Sequence, residues 1–165
     1  NVHPEEFGQQ WMVRPDDPIF THEYEVFLEI TESVPMSHEV HCRGVLAEVR
    51  GKGVRIAVDD LGAGYSNLKS IADLAPDIVK LDRSLVAGID NTDSLYRLTS
   101  GVVHLAKQMN ARVVLEGIET QGELKAARRA GADFGQGYFL ARPAFPPPEV
   151  DPKLVLGVTA SEDAA

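Results

Sequence analysis

The chain has 165 residues, 44% of them hydrophobic and 25% charged, which is the size of one domain with enough apolar side chains for a real core. A formal net charge of -9 opposes binding to a nucleic-acid backbone, so no nucleic acid polymer is expected as a partner. The apolar runs are too short for a membrane segment, and one cysteine, Cys42, rules out an internal disulfide and fits a reducing compartment, the cytoplasm.

The chain opens on Asn1 rather than Met, with no basic leader and apolar run behind it, and so reads as a fragment or a processed product. Phe7, Trp11 and Phe20 read as packing under the first helix. The run 25–30 is predicted as a strand. A helix is predicted from Pro35 to about Lys52, stopped by Gly51 and Gly53, with Cys42 in a structural role inside it. A second strand covers 54–59, a glycine-rich turn 60–64, and a short helix roughly 66–74. Then come a buried strand over 77–81, a helix over 93–109, a strand over 112–116, a helix over 121–130 and a weak last strand ending near Gln136. Leu98, Val102, Leu105 and Met109 share one helical stripe and read as core. The proline-rich stretch 144–152 reads as an extended exit, leaving a domain over 1–150 and a tail over 151–165.

Strands alternating with helices predict an α/β fold with a parallel sheet. The strands look apolar on both faces, as a sheet covered by helices requires. Each strand nevertheless ends in a residue that a core should reject: Glu29, Asp59 with Asp60, Lys80, Glu116 and Gln136. The intervals are 30, 21, 36 and 20 residues, each about one βα unit. A polar residue at one strand end is ordinarily a solvated rim residue or a helix cap. Five in succession point to a shared face at the carboxyl ends of the strands, where (β/α) barrels carry their active sites. Several carboxylates and one lysine suit hard divalent cations and an oriented water. The adjacent pair Asp59 and Asp60 suits two cations a few ångströms apart, and Gly62 and Gly64 let the following turn fold tightly over them.

The motifs themselves resemble a known family. Leu28-Glu29-Ile30-Thr31-Glu32-Ser33 resembles the E-x-T-E segment of the EAL domain, and Asp59-Asp60-Leu61-Gly62-Ala63-Gly64-Tyr65-Ser66 its D-D-F-G-T-G-Y-S loop. Lys80-Leu81-Asp82 is similar to K-I-D, and Glu116-Gly117-Ile118-Glu119-Thr120 to E-G-V-E-T. Gln136-Gly137-Tyr138 through Pro143 resembles Q-G-Y-x-x-x-x-P, and Asn1-Val2-His3-Pro4 the family's N-x-S strand end. These motifs span residues 1–143. The resemblance implies a TIM-like (β/α) barrel, here incomplete and lacking its first two strands. It implies hydrolysis of the bacterial second messenger cyclic di-GMP to linear pGpG with two divalent cations, magnesium or manganese. Asn1, Glu29 and Asp59 would hold the first ion, and Asp59, Asp60 and Glu116 the second. Lys80 would hold and polarise the attacking water, with Glu116 the second catalytic group. Asp82 would support Lys80 or the cation ligands, and Glu32 would anchor the glycine-rich loop. Gln136 would meet the substrate phosphate or a water, and Pro143 would lie near a guanine. A homodimer and fusion to sensory domains are further implied.

The sequence departs from the family at Leu61 and Ala63, both mildly, and at the front, where no Glu-Ala-Leu occurs. The missing segment carries a ligand of the first ion and a substrate-binding arginine, so the chain is expected to turn over substrate poorly. A non-catalytic cyclic di-GMP receptor or protein-interaction module is the competing reading. A barrel enzyme using Lys80 as a Schiff-base amine is a third, which the surrounding acids oppose. His38 and His41 lack further ligands at zinc spacing, and His3 reads as a rim residue.

Overall fold

The structure, a computed structural model, describes residues 20–21, 23–31, 39–64 and 68–156. Asn1, His3, Phe7, Trp11, Glu32 and His38, and the side chains of His41 and Cys42, lie outside the described residues. Five strands, β1 (Phe27–Thr31), β2 (Arg55–Leu61), β3 (Ile78–Leu81), β4 (Arg112–Leu115) and β5 (Phe134–Gly135), pair in sequence order. Every pairing is parallel. Helices α1 (Glu39–Gly51), α2 (Leu68–Leu74), α3 (Asp93–Gln108) and α4 (Gln121–Ala130) connect them in turn, and a short α5 (Pro152–Leu156) follows.

Alternation along the strands decides which face meets the helices. Leu28, Ile30, Ile56, Val58, Val79, Leu81, Val113 and Leu115 are buried. They pack in two clusters, against Leu46 and Val49 of α1 at one end and against Ile71, Val103, Ala106, Leu124, Ala126 and Ala127 of the later helices at the other. The intervening residues face the other side. In β1, β3 and β4 they are only half-buried, and β2 alone is buried on both faces. The expectation of strands apolar and covered on both faces therefore fails for β1, β3 and β4, and for β5, whose two residues are exposed. Helices cover one face, and the face bearing Glu29, Lys80 and Val114 is the open one among the described residues.

The expected stripe on α3 is also corrected. Val102 and Met109 pack against the core, but Leu98 and Leu105 are exposed. The buried residues are Thr99, Val103 and Ala106. A polar residue turns inward because the Thr99 hydroxyl donates to the Leu85 carbonyl at 2.7 Å, which satisfies it without water. Residues 141–151 are irregular, as the prolines predict, but the chain then returns. Leu154 packs against the larger cluster, and its carbonyl accepts from the Arg128 guanidinium. Phe20 packs against the smaller cluster with the Lys52 ammonium 4.2 Å from its ring centre.

Candidate metal centre and active site

Acids occur at both ends of the sheet, and their partners separate them. Before β3, the Asp77 carboxylate accepts from the Ile56 N–H at 2.8 Å. Before β5, the Asp133 carboxylate accepts from the Val113 N–H at 2.8 Å and pairs with Lys107. These amino-end acids complete the hydrogen bonding of strand starts. At the carboxyl ends the acids meet one another instead.

Lys80 stands at the centre of that face. Its ammonium lies 2.8 Å from Asp59, 2.9 Å from Glu116 and 3.2 Å from Glu29, so one cation joins the ends of β1, β2, β3 and β4. The side chains of Lys80 and Asp59 are 13% and 9% exposed, which keeps water from screening the contacts. Burial alone would lower the Lys80 pKa. The hydrogen bonds and negative charges of Asp59 and Glu116 outweigh it and hold the ammonium well above the usual lysine range. A charged amine is no nucleophile, so the Schiff-base reading finds no support here.

Asp59 and Asp60 require a local exception. Adjacent residues of a regular strand point to opposite faces, yet one carboxylate oxygen of each, with one of Glu116, lies within 4.8 Å of the others. The register between β2 and β3 shifts between Val58 and Leu61, and Asp60 takes the left-handed conformation with φ 58°. The shift is a bulge-like break in alternation, and aspartate tolerates the left-handed region better than most side chains. The Asp60 N–H donates to the Asp59 carboxylate at 3.0 Å, fixing one against the other.

The donor set fits hard divalent cations. Glu29, Asp59 and Glu116 bring three carboxylates to one ammonium, and Asp60 adds a fourth beside Asp59 and Glu116. Burial raises the Glu116 pKa, the Lys80 hydrogen bond and charge lower it, and the charges of Asp59 and Asp60 raise it again; the net shift is upward. Burial is the largest cause of that shift, and the neighbouring acids add to it. Oxygen donors of this kind suit magnesium, manganese or calcium rather than zinc.

The other expected residues lie around this cluster. Asp82 does not bond to Lys80. Its carboxylate accepts from the Ser84 N–H at 2.8 Å and caps a 3-10 turn over Arg83–Leu85, which holds its pKa below the usual range despite partial burial. Gln136 is exposed; its backbone N–H donates to Leu115 at 2.9 Å and its carbonyl accepts from Ile118 at 3.0 Å. That ties the end of β5 to the loop after Glu116. Pro143 is exposed in the irregular segment. Sequence reasoning missed Arg83 and Glu123. Arg83 adjoins Lys80-Leu81-Asp82, and its partner Glu119 belongs to a motif already singled out, but the two are 36 residues apart in the chain.

A parallel α/β sheet of successive βα units with a lysine-centred carboxylate cluster at its carboxyl ends defines a TIM-like (β/α) fold with a candidate cation site. The EAL domain family matches residues 18–143, and the chain belongs to that family. It is 40% identical over 119 residues to the cyclic di-GMP phosphodiesterase PA2567 of Pseudomonas aeruginosa, covering 72% of this chain and 20% of that protein. The crystal structure of the EAL domain of Mycobacterium smegmatis DcpA superposes with a TM-score of 0.80 at 32% identity, covering 87% of this chain and 66% of that one. Klebsiella pneumoniae BlrP1 in complex with calcium and cyclic di-GMP gives 0.78 at 28% identity, covering 87% and 38%. Its manganese complex gives 0.75 at 27%, with the same coverage. The chain spans about a fifth of the length of the curated relatives it matches. No helix among the described residues is long and apolar enough to cross a membrane.

Proposed function

We propose that this chain carries the catalytic face of a cyclic di-GMP phosphodiesterase, which hydrolyses one phosphodiester of its substrate to give linear pGpG in bacterial second-messenger signalling. The observation that carries the reading is the meeting of Asp59, Asp60 and Glu116 within 4.8 Å beside an ammonium shared with Glu29. Glu29 and Asp59, with Asn1, are assigned to one cation, and Asp59, Asp60 and Glu116 to a second. Magnesium or manganese in these positions supplies charge to the phosphate oxygens and lowers the pKa of water.

The chain's own groups do the rest. Lys80, kept charged by Asp59 and Glu116, donates a hydrogen bond to the oxygen of the attacking water and orients it toward phosphorus. The water oxygen forms the new bond to phosphorus, the bond to the 3′ oxygen breaks, and that oxygen takes up a proton from solvent. Glu116, within hydrogen-bond reach of Lys80, is the carboxylate assigned to receive the proton from the water, and it then returns that proton to solvent. Gln136 is assigned to the substrate phosphate or a site water, Pro143 to the neighbourhood of a guanine, and Glu32 to the anchoring of the glycine-rich loop. The setting is cytoplasmic, with sensory domains in the whole protein and a homodimer as the working assembly.

The direct test is conversion of cyclic di-GMP to pGpG, followed by chromatography, with magnesium or manganese and then with chelator, on this chain and on the same chain with the upstream Glu-Ala-Leu strands restored. Cation-dependent pGpG that disappears in Asp59→Asn supports the reading. Binding of cyclic di-GMP without turnover points to a receptor. Neither binding nor turnover sinks the cyclic di-GMP assignment for this chain.

A further inference from the structure

The turn that follows Lys80 reaches both neighbouring loops of the site. On one side, the two terminal nitrogens of Arg83 donate to the Gly117 carbonyl at 2.6 Å and to the Glu119 carboxylate at 2.8 Å. Gly117 is the residue after Glu116. Its φ of +69° is a left-handed conformation, and a Cβ placed there would lie 2.7 Å from the Cβ and 2.8 Å from the Cγ of Arg83. The arginine stem thus lies across the glycine while its guanidinium grips the carbonyl beyond it. Glu116 is held from the other direction too, since its N–H donates to the Leu81 carbonyl at 3.0 Å.

On the other side, the Ser84 hydroxyl donates to the Gly62 carbonyl at 3.1 Å. A Cβ on Gly62 would lie 2.6 Å from a methyl of Leu85, and the Asp82 N–H donates to the Leu61 carbonyl at 3.0 Å. Gly62 is two residues beyond Asp60. The turn itself is anchored from below by the buried Thr99 on the Leu85 carbonyl and by Glu123 on the Gly88 N–H.

We infer that the 3-10 turn Arg83–Leu85 is a clamp that sets the Asp59–Asp60 pair and Glu116 at the separation a cation centre needs, with Arg83 the positioning residue for Glu116. The inference rests on the reading of the cluster as a divalent-cation site. Stability does not explain the arginine, because Arg83 and Glu119 are each 45% exposed, and ion pairs of that kind contribute little. What the planar guanidinium supplies is direction: two donors in a fixed fork, a geometry that a lysine cannot reproduce. Cation ligands tolerate only small displacements, and the groups that orient them typically account for 10–100-fold in metal affinity (about that range).

The test compares the full chain with Arg83→Ala, Arg83→Lys and Glu119→Gln. Manganese binding is measured by calorimetry without substrate, kcat and KM with cyclic di-GMP, and the melting temperature without metal. Crystal structures of the unsubstituted and Arg83→Ala chains complete it. Expected for Arg83→Ala are manganese affinity weakened about tenfold, a lower kcat with KM within about twofold, a metal-free melting temperature near that of the parent, and a Glu116 carboxylate displaced from Lys80. Arg83→Lys recovers only part of the affinity. Unchanged manganese affinity, or a Glu116 that keeps its place, overturns the clamp. If the unsubstituted chain binds no manganese, the cation reading falls separately, and the crystallographic position of Glu116 still decides the clamp. Should Arg83→Ala fail to fold, Glu119→Gln keeps the stem over Gly117 and is judged by the same readouts.

Discussion

Two neighbouring aspartates serve one site only where the chain breaks its own alternation, and Asp60 is where it does so. The left-handed turn at φ 58° is a local cost that aspartate and asparagine bear more easily than branched residues. Asp60→Asn should therefore keep the backbone and lose the charge. Manganese affinity is expected to fall at least about tenfold, with the melting temperature of the metal-free chain almost unchanged. Calorimetry and a thermal melt check the two halves, and a large loss of metal-free stability would show that the carboxylate is structural. Lys80 makes the opposite case. Lys80→Met removes a positive charge from three carboxylates, so cation binding has no electrostatic reason to weaken. Turnover of cyclic di-GMP should nevertheless drop about 100-fold or more, the usual scale for loss of a positioned charged hydrogen-bond donor. A single-turnover assay at saturating manganese distinguishes this from simple loss of the metal. Glu29, Asp59, Lys80 and Glu116 were legible in the sequence because a charged residue at the end of an apolar run recurs at the βα interval. The roles of Arg83 and Glu119 were not, since their contact joins loops far apart in the chain.

At the scale of elements, the loops carrying the site are fastened to helices by a few buried polar groups. Glu123 is 5% exposed. Its carboxylate accepts from the N–H groups of Glu119 at 2.8 Å, Thr120 at 3.0 Å and Gly88 at 3.0 Å. The Thr120 hydroxyl returns a cap to the Glu123 N–H at 3.1 Å, completing a capping box that also grips the turn after β3. Burial by itself would raise the Glu123 pKa, but the three backbone donors and the charge of Arg83 outweigh it, so the folded value lies below the usual range. The ionised form is therefore the one favoured by folding. Its contribution is fully present above the unfolded glutamate pKa and is lost as pH falls through the lower folded value. Glu123→Gln should cost about 2 kcal/mol near neutral pH, with the difference from the parent shrinking on acidification. Urea unfolding at a series of pH values tests it, and a difference that grows toward low pH contradicts the account. The spacing Thr120-Gln121-Gly122-Glu123 is a signal that could have found the missed Glu123; nothing in the sequence points to its grip on Gly88. The stripe on α3 shows the same limit. Helical spacing identified an apolar face but misphased it, because Thr99 faces inward to bond Leu85 while Leu98 and Leu105 face out.

For the molecule as a whole, the helix-covered face supplies the core and the opposite face collects charge. The sequence patterns located the parallel order of the strands, because each βα unit repeats the same apolar run. They did not reveal that one face is half-open among the described residues, since Phe27, Ile78 and Val114 are apolar and yet only half-buried. Acidic groups on that face are held close by the fold and repel one another, in a chain of net charge -9. The folded state gathers them; the unfolded chain disperses them. A divalent cation that bridges Asp59, Asp60 and Glu116 must therefore bind the folded state in preference and stabilise it. With free manganese 100-fold above its dissociation constant, the gain is about 2.7 kcal/mol by mass action. Thermal melts across a manganese titration at constant ionic strength should show the melting temperature rising with the logarithm of concentration. Sodium at equal ionic strength should give much less, because general screening acts on all exposed charges and scarcely on a half-buried cluster. Asp59→Asn removes the ligand assigned to both ions and should abolish the specific rise. A rise that persists in Asp59→Asn would place the bound cation elsewhere on the acidic surface.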